Sequence, residues 1–126
     1  PVVGVCVRRS NDLQSPRVLE RCREIAELLE ADMPVTADDV VTMDDVLAPG
    51  YGRLNPMTLE ALRLTASKEG LILDPVYTGK VMAGIIHRIR KNAYANADDV
   101  LFIHTGGHPA LFAYEPEITK ALENDA

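Results

Sequence analysis

Nowhere does the sequence hold an apolar run approaching the ~20 residues that a membrane-spanning helix needs. Its N-terminus also lacks the basic segment followed by an apolar one that marks a signal peptide. The cytoplasm is therefore the default expectation. Cysteine is scarce as well. Cys6 and Cys22 are the whole complement, they are not spaced as a zinc or redox pair, and they read as core thiols in a strand and a helix. A basic stripe is missing too: the net charge is −6, with lysine and arginine scattered among acidic residues. No surface is thereby set up to neutralise the phosphates of a duplex, and nucleic acid is not an expected partner. His87, His104 and His108 have no carboxylate or thiol at ligand spacing, so no metal site is expected. Internal repeats and low-complexity stretches are absent.

What is present is an ordinary globular composition. The 126 residues are 47% hydrophobic and 25% charged, enough for one domain that buries about two thirds of its unfolded surface. The chain opens at Pro1 directly on the apolar run Val2 to Val7. A chain cut from something longer looks like this, and so does one whose initiator methionine has been removed.

Short β-branched runs alternate with helical patterns, which predicts an α/β fold: a three-layer, open, mainly parallel sheet with helices on both faces. Val2 to Val7 reads as the first strand. Ser15 and Pro16 read as a helix start, with Val18, Cys22, Ile25 and Leu29 on the face that packs against the sheet. Val40 to Met43 is a second strand, followed by a loop through Ala48-Pro49-Gly50-Tyr51-Gly52. Asn55 and Pro56 start a helix with Leu59, Leu62 and Ala66 on one face and Gly70 at its end. Leu71 to Leu73 runs extended into Asp74-Pro75. Thr78 opens a helix whose core stripe is Met82, Ile85, Ile86 and Ile89. Val100 to His104 reads as a strand ending in Thr105-Gly106-Gly107, with a helix from about Pro109 onward.

Three segments carry the chemistry: Ala48 to Gly52, Asp74 to Lys80 and Phe102 to Gly107. Each interrupts a regular element, and each mixes glycine with a hydroxyl. Glycine lets backbone approach a ligand closely, while hydroxyls hydrogen-bond without bringing charge, so the pattern points to a small polar ligand. Ordinary turns use the same residues, and a strand running into a Gly-rich turn and a helix is the feature that raises the reading above them. The acidic pair Asp44-Asp45 invites comparison with a phospho-acceptor receiver domain, but there it should follow the first strand.

The segments DPVYTGK (74–80) and IHTGG with PALFAY one residue later (103–114) resemble the C-terminal region of the D-cysteine desulfhydrase and aminocyclopropane-carboxylate deaminase family. The likeness extends more loosely back through PGYG to VGVCVRR. The resemblance implies a tryptophan synthase β-like fold of two α/β domains with pyridoxal 5'-phosphate between them. Residues 1–126 are then the C-terminal fragment of the large cofactor-binding domain. The lysine that holds the cofactor covalently, and the loop that cradles its phosphate, are expected upstream of Pro1. Lys68, Lys80, Lys91 and Lys120 are read as solvated charges.

Residue by residue, the resemblance makes Tyr77 the active-site tyrosine against the cofactor, a base or nucleophile, and Tyr51 the second active-site tyrosine. Thr78 faces the pyridine nitrogen, where the deaminases carry a glutamate. Thr105, Gly106 and Gly107 line the cofactor and substrate side. A phenol ordinarily titrates near 10, so Tyr77 as a base requires a lowered pKa. Without the resemblance, both tyrosines read as packed rings with a bonded hydroxyl, Thr78 as a helix cap, and the glycines as a tight turn. A neutral group at Thr78 leaves the ring nitrogen largely unprotonated and the cofactor a weaker electron sink, which favours β-elimination over cyclopropane opening. The expected parent is a lyase converting D-cysteine to pyruvate, sulfide and ammonia, with L-cysteate sulfo-lyase next and ring-opening deaminase third. Its substrate is a small amino acid, its assembly a homodimer, and the isolated chain is expected to be inactive. The competing reading from another class is a stand-alone α/β module that binds a small ligand.

Overall fold

Val3, Gly4 and Val5 form strand β1, which pairs in parallel with β2 (Val41–Met43) in the register Val3 to Val41, Gly4 to Thr42 and Val5 to Met43. The computed structural model describes residues 1–32 and 34–124. Between the strands lies α1 (Asn11–Leu28), so the chain opens with a β-α-β unit. Then follow α2 (Pro56–Glu69), α3 (Thr78–Arg90) and α4 (Ala110–Asn124).

Side chains alternate across a strand, and here the alternation sorts the helices. Val5 and Met43 point to α3, where a side chain on Gly84 would come within 3.3 Å of both. Thr42 points the other way and bonds Ser15 of α1 at 2.6 Å. The parallel sheet is thus covered by helices on both faces, as the alternation of elements requires. The fully buried centre is Val46, Ala61 and Ala83, with Val5, Met57, Met82 and Ile86 packed around it. Among the described residues, no helix is long and apolar enough to cross a membrane.

Four expectations need correction. The first helix begins at Asn11, four residues before Ser15, and Pro16 lies inside it. Ser10 contributes its carbonyl to the amides of Leu13 and Gln14, and the Asn11 amide donates to Asp44 Oδ2 at 2.9 Å. The start is therefore set by bonds to the second strand's loop, and Ser15 serves as a cross-link to Thr42. Second, α1 touches the sheet along its N-terminal half only: Ile25, Leu28 and Leu29 stand exposed. Third, the buried face of α3 is centred on Gly79, Lys80, Ala83 and Gly84, and Ile89 is exposed. Small residues at the contact let the helix lie close to both α2 and the sheet.

Fourth, residues 100–104 form no strand. Leu101 is 85% exposed and Ile103 65%, and the segment faces β1 across a groove of about 800 Å³ lined by Val3, Val5, Phe102 and Ile103. A strand exists only where a neighbour completes its ladder. No described residue fills that place.

Candidate functional site

Asp74 builds the centre of the site. Its Oδ2 accepts the amides of Val76 and Tyr77, both at 2.8 Å, and its Oδ1 accepts the Thr78 amide and the Thr78 hydroxyl, both at 2.7 Å. The Asp74 amide in turn donates to Thr78 Oγ1 at 2.9 Å. One buried carboxylate therefore satisfies the free amides at the start of α3, the function a helix cap serves, with the added preference of a helix N-terminus for negative charge. Burial raises the Asp74 carboxyl, but the bonds from the Thr78 hydroxyl and from the amides of Thr78, Tyr77 and Val76 outweigh it and hold the pKa below the ordinary value. Thr78 is fully buried beside it. Its hydroxyl is neutral and donates to Asp74 Oδ1.

Tyr77 immediately precedes α3 and meets Tyr51 of the 48–52 loop. Their hydroxyls lie 2.5 Å apart and their rings meet edge to face, with centroids 6.2 Å apart. Both are half-exposed, at 42% and 49%. Arg8 lies over the Tyr51 ring, 5.6 Å from its centre. The hydrogen bond to Tyr51 is the main reason the Tyr77 pKa is raised, with desolvation, Tyr51 and Asp74 adding to it and Arg8 opposing. The chain's own residues thus shift Tyr77 opposite to what a base at neutral pH requires, and keep its proton in place. Substituting Tyr51→Phe is expected to lower the Tyr77 titration toward an ordinary phenol, read from the Cζ resonance of ¹³C-labelled tyrosine. An unchanged titration would show that the two hydroxyls are not bonded.

The third segment docks through Gly107. At φ +96° it adopts a conformation that side chains rarely take, and an added Cβ would lie 2.6 Å from Asp74 Cγ. Glycine here serves close approach of protein to protein. Two imidazoles fix the same turn from below. His104 Nδ1 accepts the Gly106 amide at 3.0 Å, which places its proton on Nε2, directed at the Ile72 carbonyl at 3.1 Å. His108 Nε2 reaches the same carbonyl at 2.8 Å, and the two rings stack at 4.7 Å. Thr105 is exposed at the tip and Gly106 beside it, with open space where a side chain would be. His87 stands apart, 3.3 Å from Asp45.

The structure brings Tyr51 to Tyr77, Thr78 to Asp74, and the 105–107 turn to Asp74. Asp74 and Lys80 were not singled out by the sequence as functional. The signal for Asp74 was its place four residues before Thr78, at the entry to a helix. Lys80 is not a solvated charge: it is fully buried, and its Nζ donates to the carbonyls of Leu47 and Gly50, each at 3.0 Å. Desolvation lowers its pKa. Hydropathy assigns lysine to the surface, and only the loop's carbonyls explain the exception.

The chain is 49% identical over 117 residues to D-cysteine desulfhydrase from Salmonella paratyphi C and to the enzyme of that name from Salmonella choleraesuis. Those alignments cover 93% of this chain and 35% of each relative, so the chain spans about a third of their length. A crystal structure described as an ACC deaminase homologue superposes with a TM-score of 0.81 at 31% identity, over 94% of this chain and 34% of that one. The model of the pyridoxal-phosphate dependent enzymes matches residues 1–106, the stretch that holds β1 through the Gly-rich turn. By these matches and by its fold, the chain belongs to the pyridoxal-phosphate dependent enzyme family.

Proposed function

We propose that the protein carrying this chain is a β-eliminating lyase acting on a small amino acid with a leaving group on its β-carbon, D-cysteine first. The observation that carries the reading is Thr78 itself, a neutral hydroxyl at the head of α3 where a carboxylate would bring a formal charge. Such a group supplies no formal charge to a ring nitrogen. It supports the weaker electron sink that suffices when a thiolate leaves, and not the stronger one that opening a carbon ring demands. The 49% identity to D-cysteine desulfhydrase supports the same substrate.

The residues fit one face of pyridoxal phosphate. Two half-exposed phenols, the exposed Thr105 and the open Gly106 offer hydroxyls and close backbone approach to a flat polar ring. When bound, the cofactor supplies a sink for the electron pair left at the substrate's α-carbon. Tyr77 holds a proton at its hydroxyl, beside that of Tyr51, and on this reading gives it to the departing sulfur as a general acid. Thr78 and Asp74 keep the turn beneath rigid. Elimination expels sulfide, and one water then converts the remaining three-carbon amine to pyruvate and ammonia. Residues 1–126 are on this reading a C-terminal part of the large cofactor-binding domain. We place the enzyme in the cytoplasm, where its two free cysteines stay reduced.

The test is an assay of the full-length protein on D-cysteine, L-cysteate and the cyclopropane amino acid. Sulfide and pyruvate in equal amounts from D-cysteine are expected. Sulfite from L-cysteate as the dominant product would reassign the leaving group within the same chemistry. Dominant turnover of the cyclopropane substrate would overturn the argument from Thr78, and no turnover of any of the three would favour a non-catalytic binding module.

A further inference from the structure

Lys80 sits where physics least favours a cation. It lies in the first turn of α3, at the positive end of the helix dipole, fully buried, and among the described residues no carboxylate pairs with it. A charge held in such a place needs compensation from its bonded partners. Those partners lie in the loop that carries Tyr51. The loop is a run of tight turns in which the Leu47 amide bonds the Asp44 carbonyl, the Gly50 amide the Leu47 carbonyl, and the Arg53 amide the Gly50 carbonyl. Steps of three residues bring the carbonyls of Leu47 and Gly50 to one side, where the Lys80 ammonium donates to both at 3.0 Å.

We propose that Lys80 is a positioning residue, one that clamps the 47–50 turn from beneath and thereby sets Tyr51 against Tyr77. Lys80 follows Tyr77 by three residues at the head of α3. The helix that presents one phenol therefore also reaches under the loop that presents the other. Asn55 helps from the far side, its Nδ2 donating to the carbonyls of Val46 at 3.0 Å and Ala48 at 2.5 Å, and the Tyr114 hydroxyl holds Gly52 at 2.6 Å. None of these bonds reaches α3, whereas Lys80 ties the loop's carbonyls to the helix that Tyr77 precedes. The proposal rests on reading Tyr51 and Tyr77 as the working phenols of the site, yet its test does not depend on turnover.

The experiment is the ¹³Cζ-tyrosine titration of the full chain in wild type, Lys80→Met, Lys80→Gln and Tyr51→Phe. Methionine fills the volume of the lysine stem without donors, so the fold is retained while the clamp is lost. Expected is a fall of the Tyr77 titration in Lys80→Met to the value set by Tyr51→Phe, with Lys80→Gln, which keeps a shorter donor, in between. A Tyr77 titration unchanged in Lys80→Met, while Tyr51→Phe shifts it, would overturn the proposal and leave Lys80 a core residue only. Should Lys80→Met not fold, Lys80→Gln decides alone: movement toward Tyr51→Phe supports the clamp, and none overturns it. If Tyr51→Phe itself leaves Tyr77 unmoved, the clamp has nothing to position and falls. The substrate assay is untouched by that result, so the two readings fail separately.

Discussion

Replacing Asp74 with alanine is expected to destabilise the chain by about 4 kcal/mol, at the upper end of what one substitution does. The carboxylate, itself fully buried, accepts three amides and one hydroxyl. Removing it strands those donors, each at a cost of about 1 to 3 kcal/mol when no water replaces the partner. Asparagine is no rescue. Its oxygen can serve the Thr78 side, but its NH₂ would then face the amides of Val76 and Tyr77, donor against donor. The pH dependence follows from the depressed pKa. A carboxyl that titrates lower in the folded than in the unfolded chain contributes its full stability above the unfolded value of about 3.9. That contribution is lost as pH falls through the folded value, so the acid limb below about pH 4 should be steeper in wild type than in Asp74→Asn. Asp39 and Glu60 are also lowered, by bonds from Thr36 and Arg90 respectively, but they are common to both proteins and cancel in the difference. Urea unfolding at pH 7 and pH 3 measures both effects. A loss below about 1 kcal/mol for the alanine variant would mean that solvent reaches the turn and that Asp74 is not its organiser.

Much of the architecture was legible because it rests on local signals. Asn55 followed by Pro56 does start α2, with the Asn55 side chain accepting the Thr58 amide at 2.8 Å, and Gly70 closes the helix in the left-handed conformation. Thr78 does open α3, although the cap is the carboxylate of Asp74. Signals that depend on distant partners were misread. Ser15-Pro16 has the form of a helix start, yet the tie between Asn11 and Asp44, 33 residues away, moves that start upstream. Val100 to His104 has the composition of a strand, but composition cannot supply the neighbour that a ladder needs. At the site, the tyrosines were singled out by the family resemblance, since their setting among glycines alone reads as packed rings in ordinary turns. The direction of the Tyr77 shift was not, because it depends on a hydroxyl 26 residues away. Lys80 was hidden for the same reason: the carbonyls that stabilise it lie 30 and 33 residues back in the chain.

Glycine illustrates the same point through a second large effect. Gly79 lies inside a helix, where alanine is ordinarily better by about 1 kcal/mol, so sequence alone recommends Gly79→Ala as stabilising. The structure predicts the reverse, a loss of about 3 kcal/mol from overpacking. The new Cβ would lie 2.6 Å from the Asp74 carbonyl oxygen, 3.0 Å from Leu62 Cδ2 and 3.3 Å from Thr58 Cγ2. The carbonyl cannot yield freely, because it already accepts the Gly79 amide at 2.8 Å and belongs to the residue that organises the turn. Nor can α2, since Thr58 and Leu62 are buried against α3. Relief must come from moving α3 away from α2 or from opening the 74–78 turn, and either displaces Tyr77 from Tyr51. Gly84→Ala is the matched control. Its neighbours at 3.3 Å are the flexible end of Met43 and a methyl of Val5, which can shift by a few tenths of an ångström, so a change within about 1 kcal/mol is expected. Thermal unfolding of the two variants separates the cases. Equal stability for Gly79→Ala and wild type would show that the spacing between α2 and α3 is loose, and with it the frame that holds the two phenols together.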